Sequence, residues 1–260
     1  MIRFAANLGF LWTDRALHDA IHAAAGAGFD AVECHMPYEE DPLAVRAALD
    51  QVGLPMLGLN TDHSGPEVGL GAIPGREVEA RDDVDRAVEY AVAIGCATVH
   101  VMAGRSCRVD GSEATYRANL AYAAECAVEH DLTVLVEPIT TNAFAGYHLQ
   151  TVGQAVETID ALRADGVPDV VRVILDFFHV ADMGDDVLDA AGRLGDRLGH
   201  VQIAAYPDRG EPDAGDLDFG TLIPAISAGY DGYFAAEYRP RGDLEAGLTW
   251  LSPWLAGRAA

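Results

Sequence analysis

The sequence predicts a single-domain α/β protein, a (β/α)8 TIM barrel that spans residues 1–260. Short apolar strand candidates alternate with amphipathic helical stretches at about the 30-residue spacing of a βα unit. The strand candidates number eight, the count that closes a barrel of parallel strands. A chain of 260 residues, 50% of them hydrophobic, is long enough to bury one such core.

The strand candidates follow one another along the whole chain. In order they are IRFAANLGF, DAVECHM, LPMLGLN, ATVHVMAG, LTVLVEPI, VRVILDFFH, HVQIAAY and GYFAAEY. An open doubly wound sheet is the structural alternative, and it would favour a glycine-rich nucleotide turn after the first strand. The turn here, NLGFLWTD, has one glycine where G-x-G-x-x-G needs three, so the barrel is favoured.

The helical stretches place apolar residues on one face. The first, TDRALHDAIHAAAGAGF, is predicted to begin at a cap formed by Thr13 and Asp14. A later one, REVEARDDVDRAVEYAVAIG, places Val84, Val88 and Ala91 on one face with acids opposite. The others are ATYRANLAYAAECAVEHD, TVGQAVETIDALRADG, DVLDAAGRLGDRLG, FGTLIPAISAGY and DLEAGLTWLSPWLAG.

The charge balance narrows the expected partners. Acidic residues number 41 against 17 basic ones, all of them arginine, and the formal net charge is −24. Such a field repels phosphate backbones and anionic lipid, so neither nucleic acid nor a membrane is expected as a partner. The start of the chain lacks a signal-like apolar stretch, and the four cysteines form no CxxC pair. These features predict a cytoplasmic protein with reduced thiols, and pairing into a homodimer stays open.

Polar side chains fall at the ends of four consecutive strand candidates. Glu137 ends the fifth, Asp176 the sixth and Glu237 the eighth, while Gln202 lies in the seventh. The carboxyl ends of the strands carry the chemistry in such barrels, so these side chains are expected to meet there. Three carboxylates so close would repel one another unless they were protonated or shared a cation. The oxygen donors predict a site for Mg²⁺ or Mn²⁺, with Co²⁺ as a further candidate.

Each residue also has an ordinary interpretation. A lone acid after an apolar strand is usually a helix cap or a solvent contact, and a buried amide such as Gln202 can satisfy backbone groups. His179 is structural about as often as functional, and Arg209 is either a surface arginine or a clamp for a small anionic substrate. Weaker candidates near strand ends are Asn7, Glu33, His35, Asn60, His63 and His100, with Trp12, Tyr38 and Phe178 as pocket walls.

The sequence resembles the hydroxypyruvate isomerase family, one of the xylose isomerase-like barrels of sugar isomerases and epimerases. The resemblance runs nearly from end to end. It comprises MIRFAANLGFLW, FDAVECHMPYEED, GAIPGRE, VLVEPIT, GYHL, LDFFHV, GHVQIAAYPDRGEP, AAEYRP and EAGLTW. The elements IPGRE, RGEP and EYRP, in this order and spacing, are the specific ones.

The resemblance implies a metal-dependent isomerase that converts hydroxypyruvate to tartronate semialdehyde through an enediolate. It implies that Glu137 and Glu237 are the catalytic acid/base pair, and that His179 and Arg209 bind the substrate. The metal ligands that it implies are Glu137, Asp176, Gln202 and Glu237.

Three departures from the family pattern border the predicted mouth of the barrel. TDHSG follows Asn60 where Leu-Pro-Ala-Gly is common, Thr140 replaces an asparagine after EPI, and Ala205 replaces an aspartate after QIA. They bear on the substrate more than on the type of reaction. An isomerase of the four-carbon oxo-acid 2-oxo-tetronate, a ketose 3-epimerase, a dehydratase of cyclic keto-polyols and a non-catalytic barrel that binds metal or sugar acids therefore stay open. A DNA-repair endonuclease is disfavoured, because it would need a basic surface and a histidine-rich zinc cluster.

Overall fold

The computed structural model describes residues 1–256, and the last four residues of the predicted domain lie outside the described part. The strands are β1 (Arg3–Asn7), β2 (Ala31–Glu33), β3 (Gly58–Asn60), β4 (Thr98–His100), β5 (Thr133–Val136), β6 (Val171–Asp176), β7 (Leu198–Ile203) and β8 (Tyr233–Ala236). The α-helices are α1 (Leu17–Gly26), α2 (Pro42–Val52), α3 (Glu77–Ile94), α4 (Ser112–Val128), α5 (Val152–Ala164), α6 (Phe177–Asp182), α7 (Val187–Leu194), α8 (Phe219–Ser227), α9 (Leu244–Gly247) and α10 (Ser252–Ala256).

All strand pairs are parallel, and the order β2-β1-β8-β7-β6-β5-β4-β3 runs around a barrel. Its two edges, β2 and β3, meet through a parallel bridge between Val32 and Met56. The Val32 N–H donates to the Pro55 carbonyl at 3.0 Å, and the Leu57 N–H donates to the Val32 carbonyl at 2.7 Å. The predicted (β/α)8 barrel is therefore confirmed, and the open sheet is excluded because its edges would stand apart.

The core lies between the strands and the surrounding helices. The apolar run of β5 is buried throughout, as expected of a parallel strand that is covered on both faces. In α3 the predicted apolar face is confirmed, because Val84, Val88 and Ala91 are all buried. No helix within residues 1–256 is both long enough and apolar enough to cross a membrane.

Two predicted element boundaries were wrong. Helix α1 begins at Leu17, and its N-cap residue Ala16 makes no side-chain cap, so the predicted Thr13–Asp14 cap does not exist. The preceding residues form a turn instead, in which the Arg15 N–H donates to the Trp12 carbonyl at 3.1 Å. The sixth strand candidate was also too long, because β6 ends at Asp176 and the next residues begin α6.

Helix α2 was not predicted, although the chain carries both of its end signals. Asp41 is the N-cap and accepts a hydrogen bond from the Leu43 N–H, and Pro42 occupies the first helical turn. Gly53 ends the helix in the left-handed conformation that glycine favours. With α2 in place, a helix lies between β2 and β3 as the repeat requires.

The loop after β3 is tied to α3 at the same end of the barrel as the strand carboxyl ends. Arg86 donates to Asp62 Oδ2 at 2.9 Å, and its guanidinium stacks 4.4 Å from the centre of the Tyr38 ring. Burial opposes ionisation of Asp62, but hydrogen bonds from Ser64 and Arg86 outweigh it and lower the pKa of Asp62 to about 2. The ion pair therefore stabilises the fold at neutral pH.

Asp62→Asn is expected to lower the free energy of unfolding by about 1 kcal/mol at neutral pH. A carboxyl whose pKa is depressed by folding stabilises the protein above its unfolded pKa of about 3.9, and this contribution is lost as the pH falls through the folded value. The difference in unfolding free energy between Asp62→Asn and wild type should therefore fall by pH 3 to about half of its value at neutral pH. Urea unfolding across this range measures it, and a difference independent of pH would contradict the assignment.

Candidate active site

The structure brings the four predicted strand-end residues together at one end of the barrel. Glu137 directly follows β5, Asp176 closes β6, Gln202 lies in β7 and Glu237 directly follows β8. The register of β6 and β7 places Asp176 opposite Gln202. All four side chains are withdrawn from solvent, with residue exposures of 6%, 2%, 6% and 7% in chain order. The interpretation of each acid as a solvent contact therefore fails.

Part of this group has the spacing of a metal site. Glu137, Asp176 and His179 each offer a ligand atom, and these atoms lie within 4.8 Å of one another. His179 Nε2 is 3.6 Å from both Glu137 Oε1 and Asp176 Oδ2. Two buried oxygens, Glu137 Oε1 and Gln202 Oε1, have no hydrogen-bond partner among the described residues. Buried oxygens without partners are rare and fit a hard divalent cation, so these residues could hold one.

Asp176 also connects the site to the helix that follows it. Its Oδ1 accepts a hydrogen bond from the Phe178 N–H at 2.8 Å and so caps α6. This cap turns the chain out of the strand at Asp176 and places His179 one turn later on the same side. The capping and metal-binding interpretations of Asp176 are thus compatible, because the cap uses one oxygen and leaves the other for the cluster.

Arg209 lies inside the group rather than on the surface. Its Nη2 donates to Asp176 Oδ2 at 3.1 Å and to Glu237 Oε1 at 2.6 Å. Its guanidinium carbon lies 4.9 Å from the ring centre of Phe10 and 5.1 Å from that of Phe178. The guanidinium therefore balances part of the carboxylate charge and remains, with 12% of the side chain exposed, at the open side of the group.

The protein environment disfavours the charged form of Glu137. Burial is the largest cause, and the charges of Glu237 and Asp176 add to it, so the pKa of Glu137 is raised well above its ordinary value. His100 Nδ1 is 3.8 Å from Glu137 Oε2. It does not offset the carboxylate charge, because burial lowers the pKa of His100 to about 3 and leaves the ring neutral.

The protein environment favours the charged form of Glu237. Burial would raise its pKa, but the contact with His35 and the charge of Arg209 outweigh burial and hold the pKa of Glu237 below its ordinary value. His35 Nε2 stays 4.0 Å from Glu237 Oε2, an electrostatic contact longer than a hydrogen bond, whereas Arg209 is hydrogen-bonded. The two glutamates therefore differ in charge preference although both are buried at the same end of the barrel.

Several residues that the sequence placed among the weaker candidates border the group. Asn7 Nδ2 donates to Glu237 Oε2 at 2.8 Å, and His63 packs edge-on against His35. Asn60 contributes its backbone carbonyl, which accepts a hydrogen bond from Tyr38. Trp12 packs edge-on against Phe29 and also lines a pocket that includes His35.

His200 is a buried polar residue that was not predicted. Its Nε2 contacts Glu33 Oε2 at 2.6 Å inside the barrel. A signal for it was present, because His200 precedes Gln202 by two residues on one strand and side chains two apart share a face. In the sequence His200 is the first residue of the apolar strand candidate HVQIAAY.

Two of the departures from the family pattern lie beside the predicted substrate-binding residues. The Thr140 N–H donates to His179 Nδ1 at 3.5 Å, and the Thr140 hydroxyl donates to Asp182 at 2.6 Å. The Ala205 carbonyl accepts a hydrogen bond from the Arg209 N–H at 2.9 Å, which closes the turn that carries Arg209. The expectation that these positions border the mouth is met by the geometry.

One family model describes a barrel of this kind. The model of the xylose isomerase-like TIM barrel matches residues 21–254. This chain therefore belongs to the xylose isomerase-like TIM barrel family.

Two curated relatives are similar to the chain over almost their full lengths. A 2-oxo-tetronate isomerase from Cupriavidus necator is 41% identical, over 98% of this chain and 99% of the relative. A hydroxypyruvate isomerase from Escherichia coli is 33% identical, over 98% of this chain and all of the relative. The resemblance to the hydroxypyruvate isomerase family is thereby confirmed.

A solved structure shares the fold closely. The crystal structure titled AP endonuclease, family 2, from Brucella melitensis superposes with a TM-score of 0.92. It is 36% identical in sequence and covers 98% of this chain and 99% of that chain. The strand order described above is therefore that of an experimentally solved relative.

Proposed function

We propose that this isomerase interconverts hydroxypyruvate and tartronate semialdehyde (2-hydroxy-3-oxopropanoate), a reaction that moves a proton between adjacent carbons. The main support is the pair of buried glutamates, Glu137 and Glu237, which lie in a group of oxygen donors that fit a divalent cation. The hydroxypyruvate isomerase from Escherichia coli, similar over nearly the whole chain, supports the same assignment.

Four residues are proposed to hold Mg²⁺ or Mn²⁺: Glu137, Asp176, Gln202 and Glu237. When bound there, such an ion polarises the substrate carbonyl and stabilises the negative charge of the enediolate. His179 is close enough to contribute, but its Nδ1 accepts the N–H of Thr140 at 3.5 Å. The neutral ring then carries its hydrogen on Nε2, which favours a hydrogen bond to substrate over metal ligation.

The two glutamates are proposed to move the proton. One removes a proton from C3 of hydroxypyruvate, and the electron pair of that C–H bond forms the C2–C3 double bond of the enediolate. The electrons of the C2 carbonyl move onto the C2 oxygen as this double bond forms. The other glutamate then delivers a proton to C2, the C3 hydroxyl gives up its proton as it becomes the aldehyde, and the C2 oxygen takes up a proton to become the hydroxyl, so no proton is gained or lost overall. Glu137 and Glu237 extend from β5 and β8, with β6 and β7 between them, so they approach a bound substrate from different sides. Acid/base catalysis of this kind contributes roughly 10²–10⁴-fold.

Arg209 is proposed to hold the carboxylate of the anionic substrate. Its Nε has no hydrogen-bond partner among the described residues, although Nη2 is engaged by Asp176 and Glu237. The guanidinium can therefore donate a hydrogen bond to a further anionic group while it remains bonded to Asp176 and Glu237. The rings of Phe10 and Phe178, 4.9 Å and 5.1 Å from the guanidinium carbon, limit the contact of Arg209 with water.

A four-carbon substrate is the second candidate. The relative from Cupriavidus necator, at 41% identity, is named 2-oxo-tetronate isomerase. The positions that depart from the family pattern, Thr140 and Ala205, contact His179 and Arg209, which are the residues proposed to bind substrate. A different side chain at these positions is proposed to alter the space beyond the reacting carbons without altering the glutamates.

A substrate panel tests the proposal. Hydroxypyruvate, 2-oxo-tetronate and a ketohexose are assayed with Mn²⁺ and after EDTA treatment. We expect kcat/KM for one of the two oxo-acids to exceed that for the ketohexose at least about 100-fold, because a site built for a charged group rejects a neutral analogue. In deuterium oxide the product should carry deuterium at the newly protonated carbon. Turnover of the ketohexose alone would indicate an epimerase, and no turnover of any substrate would indicate a binding protein.

A further inference from the structure

A buried hydrogen-bond network lies inside the barrel and includes one of the two proposed catalytic glutamates. It consists of Asn7, Glu33, His200, Gln202 and Glu237, and we call it the Glu33 network. Glu33 Oε1 accepts hydrogen bonds from Asn7 Nδ2 at 2.7 Å and from Gln202 Nε2 at 2.9 Å. Glu33 Oε2 pairs with His200 Nε2 at 2.6 Å. Both carboxylate oxygens of Glu33 thus have hydrogen-bond partners within the protein. Glu33 takes no part in the proposed proton transfer.

The Glu33 carboxylate is held in place by the side chains of Asn7, His200 and Gln202. The orientation of Asn7 is also defined, because its Oδ1 accepts the Gly9 N–H at 2.8 Å. Its amide nitrogen must therefore face the two carboxylates of Glu33 and Glu237.

The orientation of the Gln202 amide determines which of its two ends faces away from Glu33 and Glu237. The two ends of a glutamine amide have nearly the same shape, but one accepts hydrogen bonds and the other donates them. Gln202 Nε2 donates to Glu33 Oε1 and also to Glu237 Oε2, so the nitrogen end of the amide faces these two side chains. The amide oxygen is consequently turned to the other side, where it is buried and has no partner among the described residues.

We propose that Glu33 is a positioning residue that turns the Gln202 amide so that its oxygen, and not its NH₂ group, is presented to the metal. This inference rests on the proposed metal-dependent function. An amide NH₂ group would repel a cation and donate nothing to it, so the reversed orientation removes one ligand. Asn7 supports the same selection, because its Nδ2 donates to the same Glu33 oxygen as Gln202 Nε2.

The test measures Mn²⁺ affinity by titration calorimetry on the purified full chain, without substrate. Glu33→Gln is expected to weaken Mn²⁺ binding by about 10–100-fold, the usual effect of removing a residue that orients a metal ligand. The matched control is Glu113→Gln, because Glu113 also accepts a hydrogen bond from a buried histidine, His148, at 3.0 Å but lies outside the network. Its Mn²⁺ affinity should stay within about twofold of wild type.

A second background separates orientation from simple loss of charge. Gln202→Glu supplies a ligand with two oxygens, so its orientation no longer matters. In that background Glu33→Gln should not weaken Mn²⁺ binding, and it should strengthen it, because a neighbouring like charge is removed. Equal weakening in both backgrounds would show that Glu33 acts through charge or structure and would overturn the proposal.

Folding is checked by circular dichroism and thermal unfolding of each metal-free variant. If Glu33→Gln does not fold, Glu33→Asp keeps the charge but withdraws the carboxylate from Gln202, and it should still weaken binding at least about threefold. Wild-type affinity in the folded Glu33 variant would overturn the positioning role while leaving the proposed function intact. Failure of the wild-type chain to bind Mn²⁺ would overturn both the metal site and this inference, and the isomerase assay reports separately on the reaction.

Discussion

Glu137→Gln and Glu237→Gln are each expected to lower kcat at saturating Mn²⁺ by about 10²–10⁴-fold, because each removes one partner of the proton transfer. Glutamine has nearly the shape of glutamate, so the barrel should persist. Steady-state assays with hydroxypyruvate and 2-oxo-tetronate measure the loss, and Glu113→Gln serves again as the control. Near-normal turnover in either variant would remove that residue from the mechanism.

The two variants should differ in stability although both lose activity. Glu137 is destabilised as an anion by burial and by the charges of Glu237 and Asp176, so Glu137→Gln should leave the metal-free protein as stable as wild type or more stable. Glu237 accepts hydrogen bonds from Arg209, Asn7 and Gln202, so Glu237→Gln should lower the unfolding free energy by about 2–4 kcal/mol. Thermal unfolding in EDTA distinguishes the two. A similar loss in both would contradict the described electrostatics.

Metal binding is expected to stabilise the fold by a large and measurable amount. At a free Mn²⁺ concentration of about 100 times Kd, binding contributes about 2.7 kcal/mol, which corresponds to a rise in Tm of roughly 5–10 °C for a chain of this size. EDTA should abolish both this shift and the isomerase activity, and Mn²⁺ or Mg²⁺ should restore them. Ca²⁺ should restore less, because it prefers more ligands at longer distances.

The stabilisation by Mn²⁺ should decrease as the pH falls. The ligands must be deprotonated to bind the ion, and the pKa of Glu137 is raised in the metal-free site, so protons compete with the metal there. Asp176→Asn should remove most of the shift at every pH, because it deletes one predicted ligand. A shift that survived in Asp176→Asn would place the ion elsewhere.

The barrel and the position of the four strand-end residues were predictable because both follow from local regularities. TVLVE and VILD each show an apolar run, typical of a strand that is covered on both faces, followed by an acidic residue. Parallel strands bring such ends to one end of the barrel. The boundary of β6 was not predictable in this way, because Phe177 and Phe178 suit a strand and become helical through the Asp176 cap. Helix α2 could have been predicted from Asp41, Pro42 and Gly53.

Which residues point into the barrel end follows from the amino-acid order alone, since the strand period and the repeat order are local properties of the chain. What each side chain touches there depends on the closed barrel. Arg209, thirty-three residues from Asp176, bridges Asp176 and Glu237, and Glu33 meets His200 across 167 residues of sequence. Such pairings depend on how far neighbouring strands are staggered when the barrel closes, and no local pattern records that stagger.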